Sequence, residues 1–486
     1  MTSQASSEAL DAADRLHPSI WKITAVVILG SFLAQLDATI ANVSLSSLAI
    51  ELHTGLSTIQ WVTSGYLLAL TLALPMSGWL VDRIGAKAVY VWCFAAFTLS
   101  SALCGLAWSA QSLIGFRVIQ GISGGLLAPM AQMMMARAAG RHMARVIGYA
   151  AVPVLLAPIL GPVIAGLILQ HASWRWLFLV NFPVGVLALA LAAIFLPHDR
   201  HQVRPRDLDW VGLALLSPGL AIFLYGSDRI GAPAGQVAML VSCILLGLFF
   251  WTANRKGDDA LVDLRLFKSG VFPVSAVTQF LSNGAIFAGQ MLIPIYLIRD
   301  CGRSPGEMGW LLAPLGIGML CTYPWMGALT SRFGIRNVSA AGALLALIGT
   351  LPFLYLASHA LDLTVLAIAL FIRGVGQSAV GIPSISAAYA AVSRHELPMA
   401  TTSLNIVQRL GGPTFTTLCA TLLGWRLGMQ PLHESSLSAY AWAFLLLCIV
   451  HAGTVMAAWR LPRSMSEIIG KHVAEAKDGA EVVNRA

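Results

Sequence analysis

Four ionisable side chains stand inside apolar stretches where such groups are costly: Asp37, Arg117, Arg373 and Arg409. A charge at the centre of a hydrocarbon layer costs about 2.5–3.5 kcal/mol even on the lenient insertion scale, so each of the four calls for a partner or a function. Asp37, in Gln35-Leu36-Asp37-Ala38-Thr39-Ile40-Ala41-Asn42-Val43, is the one carboxylate deep in such a stretch. On a helix rising about 1.5 Å per residue it lies roughly 22 Å from the start of its stretch. Arg117 enters from the opposite side and lies roughly 9 Å below its own start, so in a core about 30 Å thick the two depths coincide. The functional reading is a titratable proton site at Asp37, tuned by Arg117 as the gap between them changes; the alternative is a static buried ion pair. Arg373, in Phe371-Ile372-Arg373-Gly374-Val375-Gly376-Gln377, stands 256 residues after Arg117, in Phe116-Arg117-Val118-Ile119-Gln120-Gly121, and reads as its repeat mate. Arg409 has Asn405 and Gln408 four and one residues before it. Without an acid at their depth, Arg373 and Arg409 are expected to face a water-filled cavity, or, for Arg373 with equal weight, backbone carbonyls where helices break. Gln279, Asn283, Phe287 and Gln290 recur at near-helical spacing, a polar stripe that either lines that cavity or bonds between helices.

The elements that must position these residues are membrane helices. With 57% hydrophobic residues and only 11% charged, the chain lies far from soluble averages. Its apolar runs are about 20 residues long rather than about 10, which selects helices over barrel strands. The runs fall at roughly 22–48, 57–80, 87–108, 111–136, 145–170, 175–196, 209–229, 235–253, 271–298, 306–330, 338–357, 363–388, 399–424 and 438–460, fourteen spans that put both termini on one side. Of the 30 Lys and Arg residues, 22 fall on the even-numbered turns and the tails against five on the other face. The positive-inside rule therefore places both termini in the cytoplasm of a cell's inner membrane. The same spread accounts for the net charge of +8 without a nucleic-acid partner. No basic start feeds a short apolar core and a small-residue cleavage site in residues 1–20, so no secretory signal peptide is expected.

The connections at about 197–208 and 254–270 bracket spans seven and eight, which read as an insert with six spans on either side. The expected organisation is a cytoplasmic tail at 1–20, a six-helix bundle at 21–197, two inserted helices with flanking loops at 198–256, a second six-helix bundle at 257–461 and a cytoplasmic tail at 462–486. Such halves are how many secondary transporters are built. They are marked here by a turn, Gly78-Trp79-Leu80-Val81-Asp82-Arg83-Ile84-Gly85-Ala86-Lys87, echoed 249 residues on by Gly327-Ala328-Leu329-Thr330-Ser331-Arg332-Phe333-Gly334-Ile335-Arg336. The glycines permit close approach or positive φ, and Asp82, Arg83 and Lys87 fix the turn at a water boundary.

Span five carries Pro153, Pro158 and Pro162 with Gly148, Gly161 and Gly166, the composition of a bent, closely packed helix. The acids Asp207, Asp209, Asp258, Asp259 and Asp263 could be taken for Mg²⁺–diphosphate sites of a membrane prenyl-transfer enzyme. The interleaved Arg255, Lys256, Arg265 and Lys268 instead give a solvated inner loop. The seven cysteines are scattered and read as small core residues, with no disulfide or metal pattern. No phosphate loop, nucleophile elbow or metal-spaced His-Glu pair appears, so no enzyme and no cofactor is expected.

Taken together the motifs resemble the major facilitator superfamily, and within it the fourteen-helix drug:proton antiporters, over nearly all of residues 20–460. Gly78 to Lys87 is similar to the superfamily's loop between helices 2 and 3, and Arg117-Val118-Ile119-Gln120-Gly121 to its helix-4 motif. Leu36 to Val43 resembles the helix-1 motif of the fourteen-helix exporters, and Trp174 to Gly185 their helix-6 motif. Gly148, Gly161-Pro162 and Gly166 resemble the antiporter motif of helix 5, with Ala157 and Ala165 where the family has further glycines; Ser46 stands where helix 1 of the family has proline. The resemblance implies two six-helix bundles plus two inserted helices in an all-α membrane protein. It implies an exporter of amphipathic, cationic solutes driven by the proton gradient, with Asp37 and Arg117 in proton coupling and Gly78, Asp82, Arg83, Gly85 and Lys87 in gating. Arg83 lacks the acid that relatives carry near the helix 4–5 turn, since residues 84–197 hold no Asp or Glu, while Asp82 is expected to meet the start of helix 13 near Met399. Anionic lipid is the substitute expected to complete the network around Arg83, Arg137, Arg141 and Arg145. The partners implied are a small-molecule substrate, protons and lipid; no periplasmic adaptor protein is identified. Two rivals remain: an exporter of an endogenous metabolite or anion drawn by Arg117, Arg373 and Arg409, and a membrane sensor or scaffold that keeps the fold without transport.

Overall fold

The computed structural model describes residues 18–197, 207–268, 270–304, 307–393, 395–429 and 437–464, with residue 467. Nearly all of the two expected tails and the connection at 198–206 lie outside the described residues. Among the described residues there are fourteen long helices: α1 (Pro18–Val43), α2 (Ser57–Ile84), α3 (Ala86–Gly105), α4 (Ala110–Ala139), α5 (Met143–His171), α6 (Trp176–Phe195), α7 (Trp210–Asp228), α8 (Pro233–Lys256), α9 (Val271–Arg299), α10 (Met308–Phe333), α11 (Ile335–Leu356), α12 (Leu363–Ala390), α13 (Leu397–Met429) and α14 (Leu437–Trp459). Thirteen are long and apolar enough to cross a membrane. The remaining one, α13, is 33 residues long and carries the polar run from Thr401 to Arg409.

The chain divides into two compact units, one of residues 1–67 and 80–204, the other of residues 68–79 and 205–486. In the first, α1 packs on α4, α5 and α6 around a core of Leu36, Ile40, Leu113, Ala157, Leu177 and Phe178. The alanines that stand for glycine in α5, Ala157 and Ala165, are both fully buried in that core, so close packing survives the exchange. In the second, α9 packs on α12, α13 and α14 around Tyr296, Phe353, Leu370, Tyr440 and Phe444. The Tyr296 hydroxyl donates to the Leu356 carbonyl at 2.7 Å, which satisfies its polar end.

The internal repeat runs deeper than the turn motif. A proline-bearing 3₁₀ turn interrupts α2 at Leu74–Met76 and α10 at Tyr323–Trp325. Nine residues after Met76 and Trp325 come Gly85 and Gly334, both with left-handed φ, 85° and 82°. Two residues later, a base caps the last helix of its own half. Lys87 Nζ donates to the carbonyls of Ala193 and Leu196 at the end of α6, each at 2.8 Å. Arg336 Nε donates to the Leu461 carbonyl beyond α14 at 2.7 Å. Both cations sit where helix C-termini leave orphan carbonyls and partial negative charge.

The inserted pair α7 and α8 packs together and is pinned by Asp209, which is buried although it was read as part of a solvated acidic loop. Its carboxylate accepts from the Gly212 and Leu261 amides at 2.9 and 3.1 Å and from Lys256 Nζ at 2.5 Å. Among the described residues no cluster of three metal-ligating side chains forms, and Asp263 is paired with Arg265. Leu216, Leu220 and Leu261 share a core with Leu74 and Ile406, so the insert is a packed part of the second unit. Burial acts to raise the carboxyl of Asp209, but the Lys256 and amide hydrogen bonds outweigh it and hold the group below its usual 3.8. A depressed folded value means the stabilisation is present above pH 3.8 and is lost as pH falls through the lower folded value. Asp209→Ala should cost about 2 kcal/mol, from the lost cap and the stranded Leu261 amide rather than from the partly exposed Lys256. Thermal unfolding in detergent measures this, and the gap to the parent should close only in strong acid.

Candidate functional site

Asp37 and Arg117 meet. Both are fully buried, with Arg117 Nη1 2.5 Å from Asp37 Oδ2. The other carboxylate oxygen, Oδ1, accepts from Asn181 Nδ2 at 2.8 Å and Gln120 Nε2 at 3.2 Å. Arg117 also donates from Nη1 to Gln120 Oε1 at 2.7 Å and from Nε to the Val62 carbonyl at 3.1 Å, and its guanidinium lies 4.3 Å from the centre of the Tyr66 ring. Asn181 is braced in turn by Ser101 Oγ at 3.2 Å. Four helices thus converge on one charge pair: α1 supplies the acid, α4 the base and Gln120, α6 Asn181, and α2 the aromatic face and a carbonyl for the guanidinium. Both carboxylate oxygens and the Nε and Nη1 groups of the guanidinium are filled, while Arg117 Nη2 has no hydrogen-bond partner.

Gln120, Asn181, Tyr66 and Ser101 were absent from the site residues expected from sequence. Gln120 carried a legible signal, since it lies one helical turn after Arg117 and shares its face. Asn181 is a lone amide in the apolar run of α6, which on the same reasoning as for Asp37 asks for a partner.

The turn residues divide by role. Gly85 and Lys87 make the turn and the cap already described, Asp82 is half-buried and Arg83 exposed. Arg83, Arg137 and Arg145 each take part in an interaction, so the expected lipid-completed network around them has no support from unpaired bases. A Cβ on Gly78 would lie 3.0 Å from Met399 Sδ, 3.1 Å from Thr402 Oγ1 and 3.2 Å from the Pro398 carbonyl, at the first turn of α13. Beside it, Ser77 and Thr402 share a hydrogen bond of 2.7 Å. In α5, Gly148 is buried, and a Cβ on Gly161 would lie 2.7 Å from Thr39 Cγ2, so α5 lies against α1 two residues past Asp37. Pro162 is exposed, and Gly166 has nothing within 4 Å of its would-be Cβ; it is not a packing glycine.

The polar residues of the second unit do not form one cavity wall. Gln279 on α9 donates to Ser384 Oγ at 2.6 Å and the Gly381 carbonyl at 2.7 Å on α12, and accepts from Gln408 Nε2 on α13 at 2.8 Å. Asn283 reaches back to the Gln279 carbonyl at 3.3 Å, and Asn405 to the Thr401 carbonyl of its own helix at 2.8 Å. Phe287 and Gln290, the rest of the stripe, are exposed, and Arg409 is half-buried and engaged. Arg373 departs most from expectation. It is 1% exposed instead of facing water, donates from Nη2 to the Ala285 carbonyl in the unbroken α9 at 2.9 Å, and lies against Gly289. Gly289 stands 252 residues after Asp37 and faces Arg373 much as Asp37 faces Arg117.

A two-unit all-helical membrane protein with a turn repeated in each half and a buried charge pair is the architecture of a secondary transporter. The Major Facilitator Superfamily model matches residues 27–257 and 275–478, and the chain belongs to that family. It is a transporter, not an enzyme. It is 32% identical over 421 residues to the multidrug resistance protein B homolog of Mycobacterium tuberculosis, covering 85% of this chain and 78% of that one. It is 32% identical over 336 residues to the putative multidrug resistance protein MdtD of Serratia proteamaculans, covering 68% and 69%. Among solved structures, the proton:xylose symporter XylE superposes with a TM-score of 0.64 at 14% identity, over 94% of this chain and 99% of that one. The human organic anion transporter MFSD10 gives 0.61 at 17%, over 90% and 100%. At such identities these two speak for the fold alone.

A methyl group on Gly289 would lie 1.8 Å from Arg373 Nη2, whereas one on Gly166 would meet nothing. Gly289→Ala should therefore destabilise by about 1–3 kcal/mol through overpacking, and Gly166→Ala should be neutral or slightly stabilising. Thermal unfolding of the two purified variants beside the parent decides it.

Proposed function

We propose that the protein is a proton-coupled antiporter that exports amphipathic, cationic compounds across the cytoplasmic membrane by alternating access, with both termini in the cytoplasm. The observation that carries this is Asp37, among the described residues the one carboxylate buried within a membrane span, held by a single guanidinium and two amides. A proton and Arg117 compete for the same carboxylate. When Asp37 is neutralised, Arg117 keeps Gln120, the Val62 carbonyl and the Tyr66 ring, so it is not left as an isolated buried charge. Protonation can thus loosen α1 from α4 without unfolding the site, which is the step a coupled transporter needs. One charge moving down about 100 mV supplies about 2.3 kcal/mol, enough for modest accumulation. The names of the relatives support multidrug export as the substrate class.

The anion-exporter reading has less support from the bases that suggested it. Arg117 is engaged by Asp37, and Arg373 is sealed against α9, so two of the three bases that favoured it are not available to a solute.

Asp37→Asn should abolish proton-driven efflux of a fluorescent cation from proteoliposomes while the protein still folds, since the amide fills the same space but cannot titrate. Uphill export by that variant would sink the coupling role. Arg117→Ala removes the competitor for the carboxylate, and the pH profile of transport should change; an unaltered profile would argue against the coupling role of the pair. At the gate, Gly78→Val drives a branched side chain into Met399 and Thr402, and should slow turnover more than tenfold with little change in solute affinity. Cysteine accessibility on the two faces is the check on that assignment; an unaltered inward-to-outward ratio would refute it.

A further inference from the structure

The first unit contains a cavity of about 780 Å³ bounded by α1, α5 and α6, outside the Asp37 site. Its walls are almost wholly apolar, with Leu29 and Phe32 of α1, Leu156 and Leu160 of α5, and Leu191 of α6 among them. The volume lies within the range of sites that bind small ligands. One lining residue is charged, Lys22, at the outer end, where its Nζ lies 5.4 Å from the centre of the Phe195 ring. Beside it Trp21 packs edge-on against Tyr149 at 5.4 Å, an aromatic pair of the kind found where lipid meets water.

The dimensions point to the occupant. From Lys22 to Phe32 the helix advances about 15 Å, half of a hydrocarbon core about 30 Å thick, so the slot spans one leaflet. Its far end stops about one and a half turns short of Asp37. An open slot one leaflet deep, apolar along its length and with a cation at its water boundary, matches an acyl chain hanging from an anionic headgroup. The same lysine repels the amphipathic cations proposed above as cargo.

We propose that this cavity is a binding site for an anionic phospholipid, one acyl chain lying along α1 and the headgroup phosphate at Lys22. Assigning it to the cytoplasmic leaflet rests on the orientation proposed above; the site itself does not.

The test uses the full chain in nanodiscs carrying phosphatidylglycerol or phosphatidylcholine with a photoreactive diazirine on the acyl chain, followed by peptide mapping. Adducts are expected on the α1 and α5 segments holding Phe32 and Leu156, about five-fold more from the glycerol than from the choline probe. Lys22→Gln, at an exposed position, should erase that preference, and Leu29→Trp should lower labelling by both probes in protein that elutes as a folded monomer. Equal labelling by the two headgroups, or adducts confined to other helices, would overturn the site. So would displacement of the probe by tetraphenylphosphonium, which would make the slot a cargo route. Both leaflets carry probe and no transport is measured, so an error in the orientation or in the antiport reading leaves the result intact.

Discussion

The contact between Asp37 and Arg117 constrains the first unit more than any other. Neither charge can stand alone in a hydrocarbon layer, and removing one partner of a buried pair typically costs about 3–5 kcal/mol because the other is stranded. The sequence must therefore supply further groups at the same depth, and they come from helices far apart along the chain: Val62 and Tyr66 on α2, Gln120 one turn after Arg117 on α4, Asn181 on α6. Each is useful only if its helix approaches α1 closely. Gly161 of α5, whose would-be Cβ overlaps Thr39, belongs to the same constraint, since a larger residue there would push α5 away two residues from the acid. Packing and electrostatics are here one requirement.

The second unit keeps the backbone plan and changes the charge. The proline-bearing 3₁₀ turn, the left-handed glycine and the capping base recur at a constant offset. Those features answer to chain geometry, which both halves share. The acid does not recur: Arg373 has Gly289 where Arg117 has Asp37, and binds a helix carbonyl in place of a carboxylate. A guanidinium hydrogen-bonded to a helix carbonyl braces the two helices and brings no carboxylate to that depth.

How much of this was legible in the sequence follows from which physical rule each feature obeys. The spans were readable because hydrocarbon thickness sets helix length, and the structure departs mainly at α13, whose polar run lowers its hydropathy without shortening it. The Asp37–Arg117 contact was readable because rise per residue fixes depth from opposite faces. Rotation about a helix axis was harder to read. Gln279, Asn283, Phe287 and Gln290 share a spacing, yet Gln279 turns towards α12 and α13, Asn283 bonds back to Gln279 on its own helix and the others lie exposed, because 3.6 residues per turn lets a stripe of that length drift across faces. Arg373 was misplaced for a related reason: counting acids in the sequence omits backbone carbonyls, and one of them is its partner. Asp209 was misread because local charge density makes a loop look solvated, whereas its carboxylate is consumed by a cap, an amide and a lysine from three separate segments.

The charge asymmetry between the halves bears on how coupling would work in the antiport reading. A fixed positive charge in the second unit disfavours a cation there, and with no acid beside Arg373 nothing offsets it. In that reading Asp37, the group proposed to take the proton, can attract a cation only where it is parted from Arg117. A cation and a proton that answer to one carboxylate exclude each other by electrostatics alone, so exchange needs no separate signal between two sites. In that reading the same arrangement limits the ratio: with Asp37 the one carboxylate buried within a membrane span among the described residues, the site would take one proton per cycle.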